Sequence, residues 1–184
     1  SKKLNRNFIG FEIQEKYKEC ISFADKILSE NGDNIDLIAY KASALSHLGL
    51  FNQSVEEFSK CIEIDNSKFY IWVLRGDAYS ELNDSKNAFY DYWNSIQLEP
   101  NNGAVLDKMA RILFNLGNED DGIFFIKKAV DIGDSPEPML VMMAMLNKMG
   151  MYGFLHELYE KGIIKFPDKK EQFEKFRSTN LFQQ

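Results

Sequence analysis

The sequence predicts an all-α protein built from repeated helix–turn–helix units. Its 184 residues are similar to themselves when shifted by 34, the distance from Ile35 to Phe69 and from Phe69 to Gly103. Glycine or asparagine recurs at one position of each copy, where a positive φ can end a helix. Small residues recur at two further positions, where two antiparallel helices can approach each other closely. These regularities predict a series of packed helix pairs.

Four copies of the repeat follow one another. They are predicted to cover residues 35–68, 69–102, 103–135 and 136–168, the last after a one-residue deletion. The turn residues are Gly49, Asn83, Gly117 and Gly150. The small residues of the two helices are Ala42 with Ser54, Gly76 with Ala88, and Ala110 with Gly122. The fourth copy has Met143 and Leu155 at these positions, so we expect it to pack more loosely and at a shifted angle.

This pattern of small, large and turn residues resembles the tetratricopeptide repeat, a helix–turn–helix of 34 residues. The resemblance covers residues 35–168. It implies a right-handed superhelical solenoid in which the first helix of each pair lines a concave groove. In this family the groove binds an extended peptide or a helix of another protein.

We predict a single domain over residues 1–184, with a cap at each end. Residues 1–34 are expected to form an N-terminal capping helix, over 11–30, or a partial repeat. Residues 169–184 are expected to form a C-terminal capping helix of about ten residues and a tail, with Asp168 as the N-cap. Such caps shield the two ends of a solenoid core from solvent.

Composition excludes several classes of function. With 45% hydrophobic residues the chain is expected to fold. Its net charge of −6 argues against generic nucleic-acid binding, which depends on clustered Lys and Arg. No apolar run reaches the roughly 18–20 residues of a membrane span, so we expect no membrane insertion. Cys20 and Cys61 are too few for a disulfide scaffold, and we expect a reducing, cytoplasmic location.

No combination of residues indicates catalysis. His47 and His156 lie far apart, and neither has a cysteine or histidine at metal-ligand spacing. The sequence has no glycine-rich phosphate loop, and the acidic run 119–121 begins a helix, where carboxylates favour the helix dipole. We therefore expect no catalytic residue, no metal and no cofactor, and a non-enzymatic protein-binding function.

The resemblance to the family assigns groove positions to the first helix of each repeat. The partner-binding residues predicted there are Tyr40, Tyr70, Val73, Leu74, Asp77, Lys108, Arg111 and Phe114. Apolar residues beside acids such as Asp36 favour a peptide with apolar anchors and a basic residue near one end. The alternatives are that these side chains are solvated, or that the protein's own N-terminal segment fills the groove.

The family's carboxylate clamp for acidic chaperone tails is not expected here. The resemblance places the clamp positions at Ala39, Ser43, Leu74, Ala104 and Lys108, where the family uses Lys, Asn, Asn, Lys and Arg. Only Lys108 approximates the family residue. We therefore predict an adaptor whose partner is another protein with a different peptide chemistry.

A second surface provides the alternative function. Tyr90 and Trp93, with Phe124 of the next repeat beside them, are predicted to face outward on the convex side. Six of the seven methionines lie between residues 139 and 151, and methionine recurs at adaptable binding surfaces. This surface favours a structural subunit or a self-associating scaffold, and hence a homo-oligomer. A third alternative is a secretion-type chaperone.

Overall fold

The computed structural model describes residues 17–133 and 135–176. The chain forms two compact units, residues 1–100 and 101–184, and each is described by itself. Within the described residues all regular structure is helical, and consecutive helices pack as pairs. The predicted all-α class and the tetratricopeptide-like helix–turn–helix repeat are confirmed.

Over residues 17–100 the first unit contains five helices. They are α1 (Tyr17–Asn31), α2 (Ile35–His47), α3 (Phe51–Ile64), α4 (Phe69–Glu81) and α5 (Ser85–Leu98). The side-chain oxygens of Asn34 and Asp84 accept hydrogen bonds from backbone N–H groups in the first turns of α2 and α5. The capping helix predicted over 11–30 corresponds to α1, and residues 11–16 lie outside the described residues.

A half-buried arginine connects three helices of the first unit. Arg75 on α4 donates two hydrogen bonds of 2.8 Å to the Asp91 carboxylate on α5 and one of 2.9 Å to Ser59 Oγ on α3. Its guanidinium carbon lies 5.1 Å from the ring centroid of Trp72 and 5.8 Å from that of Tyr79. The Asp91 side chain is 1% exposed, so this bidentate pair satisfies a charge that water cannot reach.

Lys41 has the same role one repeat earlier. Its Nζ lies 2.9 Å from Glu57 Oε1 on α3 and 2.7 Å from Asp25 Oδ1 on α1. Burial lowers the pKa of Lys41, but hydrogen bonds to Asp25 and Glu57 outweigh this effect and raise the pKa above its usual value. Lys41 and Arg75 occupy equivalent repeat positions, as do Glu57 and Asp91. These ion pairs were not predicted from the sequence.

A tyrosine packs on a glycine where α4 meets α5. A Cβ atom at Gly76 would overlap the ring of Tyr92, which is buried. The Tyr92 hydroxyl donates a 2.7 Å hydrogen bond to Asp77 Oδ1. Burial raises the pKa of Tyr92, so its hydroxyl keeps the proton that it donates. The small residue predicted at this position is therefore what lets the two helices meet.

Over residues 101–133 and 135–176 the second unit has five α-helices and a short 3₁₀ turn. They are α6 (Gly103–Asn115), α7 (Glu119–Ile132), α8 (Glu137–Lys148), α9 (Tyr152–Lys165), the turn Pro167–Lys169 and α10 (Lys170–Glu174). The contact of an aromatic ring with glycine recurs here. Phe114 lies over Gly122, and Phe173 lies over Gly162.

Each helix pair turns at the residue predicted to end its first helix. Gly49, Gly117 and Gly150 adopt φ values of 74°, 76° and 70°, and Asn83 adopts 59°. Glycine has no Cβ and tolerates this left-handed conformation, and asparagine tolerates it better than most residues. The chain can therefore reverse direction at these four positions.

The fourth helix pair keeps large residues at the two small positions. Met143 and Leu155 are fully buried and belong to one apolar cluster with Tyr159 and Phe173. The cluster also includes Met139. The two large side chains are thus part of the core of the second unit.

The C-terminal cap differs from the prediction. Asp168 is not the N-cap of a helix of about ten residues, because it lies within the 3₁₀ turn Pro167–Lys169. Proline fixes φ and begins this tight turn, so α10 starts only at Lys170 and has five residues. Phe173 of α10 is nevertheless fully buried, and the short helix still covers the end of the core.

Candidate functional site

A pocket of about 270 Å³ opens between α2 and α4 of the first unit. We call it the first-unit pocket. It is lined by Asp36, Ala39, Tyr40 and Ser43 of α2 and by Tyr70 and Leu74 of α4. The α2 residues are spaced i, i+3, i+4 and i+7, which places them on one face of the helix. The structure therefore brings together Tyr40, Tyr70 and Leu74 from the predicted groove residues.

The first-unit pocket combines apolar walls with one exposed carboxylate. Tyr40 and Leu74 are half-buried, and Asp36 is exposed at the edge. Burial raises the pKa of Tyr70; Lys68 opposes this rise and Asp36 adds to it. The Tyr70 hydroxyl therefore stays protonated near neutral pH and can donate a hydrogen bond. This arrangement suits an apolar side chain that has a cation beside it.

Val73 and Asp77 lie on α4 but do not line the first-unit pocket. Val73 is half-buried. Asp77 accepts the hydrogen bond from Tyr92, so its carboxylate is already engaged with the fold. This contact was not visible in the sequence, because it depends on the direction of the Tyr92 side chain on the neighbouring helix.

The remaining groove predictions lie on α6 in the second unit. Arg111 donates a 2.7 Å hydrogen bond to Asp107 one turn earlier, which offsets part of the expected basic character. Asp107 is buried, and its Oδ1 has no hydrogen-bond partner among the described residues. Lys108 is half-buried. The Phe114 ring packs on Gly122 and is half-buried.

The aromatic residues predicted to face outward are exposed. Tyr90 is 58% exposed and Trp93 45%, both on α5. The rings of Tyr90 and Trp72 make an edge-to-face contact, with centroids 6.4 Å apart. Phe124 on α7 is 54% exposed, and Lys128 Nζ lies 5.3 Å from its ring centroid. Whether these residues bind a partner remains a prediction.

We next consider metal sites, membrane-spanning helices and reactive cysteines among the described residues. No group of three or more His, Cys, Asp or Glu side chains among residues 17–133 and 135–176 could hold a metal ion. Across the same residues, no helix has the length and apolar character that a membrane span requires. Cys20 and Cys61 are buried, and neither forms a disulfide with another described residue. Burial, with the Glu57 charge, raises the pKa of Cys61 to about 12, so its thiol is not a nucleophile near neutral pH.

Comparison with known proteins identifies the repeat. Residues 41–68 match the family model described as tetratricopeptide repeat. The Hsp70-Hsp90 organising protein of Plasmodium falciparum is 28% identical over 98 residues, which are 53% of this chain and 38% of that protein. The peptidyl-prolyl cis-trans isomerase FKBP4 of Homo sapiens is 30% identical over 107 residues, 52% of this chain and 22% of that protein. The chain thus spans less than half the length of these relatives.

Solved structures share the fold at low sequence identity. MamA from Desulfovibrio magneticus RS-1 superposes with a TM-score of 0.78 at 14% identity, covering 91% of this chain and 96% of that one. A thermophilic tetratricopeptide-repeat protein of Thermus thermophilus superposes with a TM-score of 0.71 at 16% identity, covering 96% and 97%. Together with the repeat spacing, the turn residues and the family model matched over residues 41–68, these structures show that the chain has the fold of tetratricopeptide-repeat proteins.

Proposed function

We propose that this protein is a non-enzymatic adaptor that binds a peptide or helical segment of a partner protein in the first-unit pocket. The supporting observation is that six groove positions converge on one pocket of about 270 Å³. Sites that enclose a whole small ligand usually measure roughly 300–1,000 Å³. The pocket is smaller than that, and so it suits one or two side chains of a peptide.

The lining of the pocket indicates which peptide it prefers. Tyr40, Tyr70 and Leu74 offer contacts to an aliphatic or aromatic anchor, because large apolar groups gain most from burial there. Asp36 at the edge favours a lysine or arginine beside the anchor and disfavours an acid. The expected ligand is therefore an apolar residue next to a basic one.

The names of the relatives raise the alternative of a chaperone partner. In this chain the clamp positions Ala39, Ser43 and Leu74 line the pocket, and none of them carries a positive charge. An acidic tail would meet Asp36 without a compensating cation among these lining residues. We therefore propose that acidic chaperone tails are not the ligand of this pocket.

The other predicted contacts and the location belong to the same proposal. Val73 and Asp77 of the first unit remain proposed partner contacts, as do Lys108, Arg111 and Phe114 of the second unit. A cytoplasmic location is supported by the two buried cysteines, which form no disulfide among the described residues.

Fluorescence anisotropy with three labelled peptides tests the proposal. The peptides share a leucine–phenylalanine anchor and carry arginine, alanine or glutamate beside it. We expect the arginine peptide to bind most tightly, and Tyr70→Ala/Leu74→Ala to weaken it at least about tenfold, as loss of buried anchors does. Asp36→Asn should make the arginine and alanine peptides equivalent.

Tyr90→Ala is the matched control, because it removes an exposed aromatic residue of the same unit outside the pocket. It should leave peptide affinity unchanged. Wild-type affinity in the Tyr70→Ala/Leu74→Ala variant, with its helicity intact by circular dichroism, would refute binding in this pocket.

A second candidate function is self-association through Tyr90, Trp93 and Phe124. The observation that favours it is that all three side chains are about half exposed, although large apolar side chains are usually covered. Light scattering over a range of protein concentrations tests it. A constant monomer mass would exclude self-association, and an increasing mass that Trp93→Ala abolishes would support it.

A further inference from the structure

The methionines of the second unit divide into two groups. Met109, Met139 and Met143 are buried. Met142, Met145, Met149 and Met151 instead line an apolar pocket of about 260 Å³ together with Phe154. The first three are spaced i, i+3 and i+7, so they share one face of α8 and its C-terminal end. The clustering of methionine in the sequence therefore reflects both a core and a surface.

This pocket continues into a second one of about 250 Å³. The two share Lys127, Met142, Leu146 and Phe154. The second pocket adds charged residues of α7 and α9, among them Asp131 and Lys161. The two pockets form one groove with an apolar end and a charged end, which we call the methionine groove.

The charges along the methionine groove are not all neutralised within the protein. Lys161 pairs with Glu157 at 2.6 Å. Lys127 and Asp131 lie one turn apart on α7, yet neither forms an ion pair within the part of the chain that the structure describes. Among the described residues that line the apolar pocket, Lys127 is also the one that carries a charge. The groove thus offers methionine side chains, which adapt to irregular partners, beside the Lys127 cation.

We propose that the methionine groove binds an amphipathic helix of a partner protein, with long apolar side chains against the methionines and an acidic residue facing Lys127. The groove runs between helices, and an apolar groove of this kind matches the one-sided pattern of an amphipathic helix. An anionic membrane would require a cluster of basic residues, whereas the charged end of this groove also carries the acids Asp131 and Glu157. This site lies in the second unit and does not depend on the peptide proposed for the first-unit pocket.

The methionine methyl groups provide a direct test on the full chain. With carbon-13 labelled methyls the protein gives signals from its seven methionines, and fully buried Met109 is an internal control. The probe is a synthetic helical peptide with leucine at i, i+3, i+4 and i+7 and one adjacent glutamate. A matched peptide carries lysine instead. We expect the glutamate peptide to shift the signals of Met142, Met145, Met149 and Met151 and to leave Met109 unchanged.

Variants connect the signal to the groove. Phe154→Ser and, independently, Met149→Ser should each weaken the glutamate peptide about tenfold, because each removes an exposed apolar contact of the groove. Lys127→Glu should weaken the glutamate peptide about fivefold and strengthen the lysine peptide. Ile164→Ser is the control, since Ile164 is 77% exposed in the same unit and does not line the groove.

Four results would overturn the proposal. The first is that neither peptide shifts the signals of the groove methionines, and the second is that Ile164→Ser weakens binding as much as Phe154→Ser. The third is that the same signals shift with protein concentration alone, which would make a second copy the occupant. The fourth is that they shift with phosphatidylserine vesicles and not with peptide. Failure of the peptides for the first-unit pocket has no bearing on these readouts, because the two tests use different probes and different variants.

Discussion

The two units place opposite chemistry at equivalent positions of the repeat. In the first unit the seventh residue of each repeat is a cation, Lys41 or Arg75, that pairs with an acid 16 residues later. In the second unit the residues at the same two positions of the third repeat are Met109 and Phe125, and both are buried. The repeat therefore requires side chains that fill the space between the helices at these two positions, and these side chains can be either charged or apolar.

The two solutions have different physical consequences. An ion pair aligns donors with acceptors and so fixes how the helices meet, but each charge loses its hydration on burial. Apolar side chains avoid that loss and impose less directional contact. The helices of the first unit are thus joined by directional ion pairs, whereas those of the second unit pack through an adaptable, methionine-rich core beside the methionine groove.

Removing one residue of an interhelical ion pair should have the largest effect on the stability of the first unit. Asp91→Ala leaves the Arg75 guanidinium, whose side chain is 14% exposed, without its carboxylate. We expect the free energy of unfolding to fall by about 3–5 kcal/mol, as it does when one half of a buried ion pair is removed. Urea unfolding followed by tryptophan fluorescence measures this, because Trp72 and Trp93 both lie in the first unit.

The double variant Arg75→Met/Asp91→Leu is the informative companion, because it imports the residues that the fourth repeat has at these positions, Met142 and Leu158. We expect it to recover most of the lost stability, since apolar residues often replace a buried ion pair without loss. Glu56→Ala, on an exposed face of α3, should change stability by less than about 0.5 kcal/mol. A double variant as unstable as Asp91→Ala would show that this position requires the ion pair itself.

The interhelical ion pairs also show which features of the structure could not be predicted from the sequence. The turns at Gly49 and Asn83 could be predicted because backbone conformation depends on the local residue. The α2 side of the first-unit pocket could be predicted because helical spacing alone places its residues on one face. Lys41 and Glu57 lie on different helices, and whether they meet depends on the packing angle. The only sequence signal was that the spacing of 16 residues occurs twice.

The same limit applies to the methionines. Their clustering was visible in the sequence, but Met143 is fully buried, whereas the neighbouring Met142 is half-buried, packs against the core and also lines the pocket. Which of the two is fully buried depends on how α8 is rotated against α9. Likewise, Asp77 was predicted to contact a partner, and the hydrogen bond that it accepts from Tyr92 could not be predicted from the sequence.

Alanine in place of a glycine that contacts an aromatic ring should cost more stability in the first unit than in the second. Gly76→Ala pushes a methyl group into the ring of Tyr92, which is buried and held by its hydrogen bond to Asp77. We expect a loss of about 1–3 kcal/mol in spite of the better helix propensity of alanine. Gly162→Ala should cost less, because Phe173 lies on the short α10 and can move with it.

Gly153→Ala is the control for both substitutions. No atom lies within 4 Å of a Cβ at this position, so alanine should be neutral or slightly stabilising. Thermal unfolding followed by circular dichroism at 222 nm, a standard helix signal, compares the three variants. Equal losses for Gly76→Ala and Gly162→Ala would mean that the two contacts are equally rigid.

Alkaline pH should affect the first unit through Cys61. The unfolded thiol loses its proton near its usual pKa of 9.0, whereas the buried thiol keeps its proton up to about 12. Between these values the unfolded state binds fewer protons, so stability falls as the pH rises. We expect a loss of about 1 kcal/mol between pH 7 and 10 from this group. Cys61→Ala should reduce the pH dependence, and an unchanged slope in urea unfolding would contradict the assignment.

The smallest expected effect concerns the turns, where the units differ by one residue. Asn83 turns the second repeat at φ 59°, and Gly117 turns the third at φ 76°. Asn83→Gly relieves strain in the folded chain but gives the unfolded chain more freedom, and Gly117→Asn does the reverse. We therefore expect changes of opposite sign, each within about 0.5 kcal/mol. A loss of more than about 1 kcal/mol for Asn83→Gly would mean that the asparagine side chain itself stabilises the turn, because glycine accepts the backbone conformation without strain.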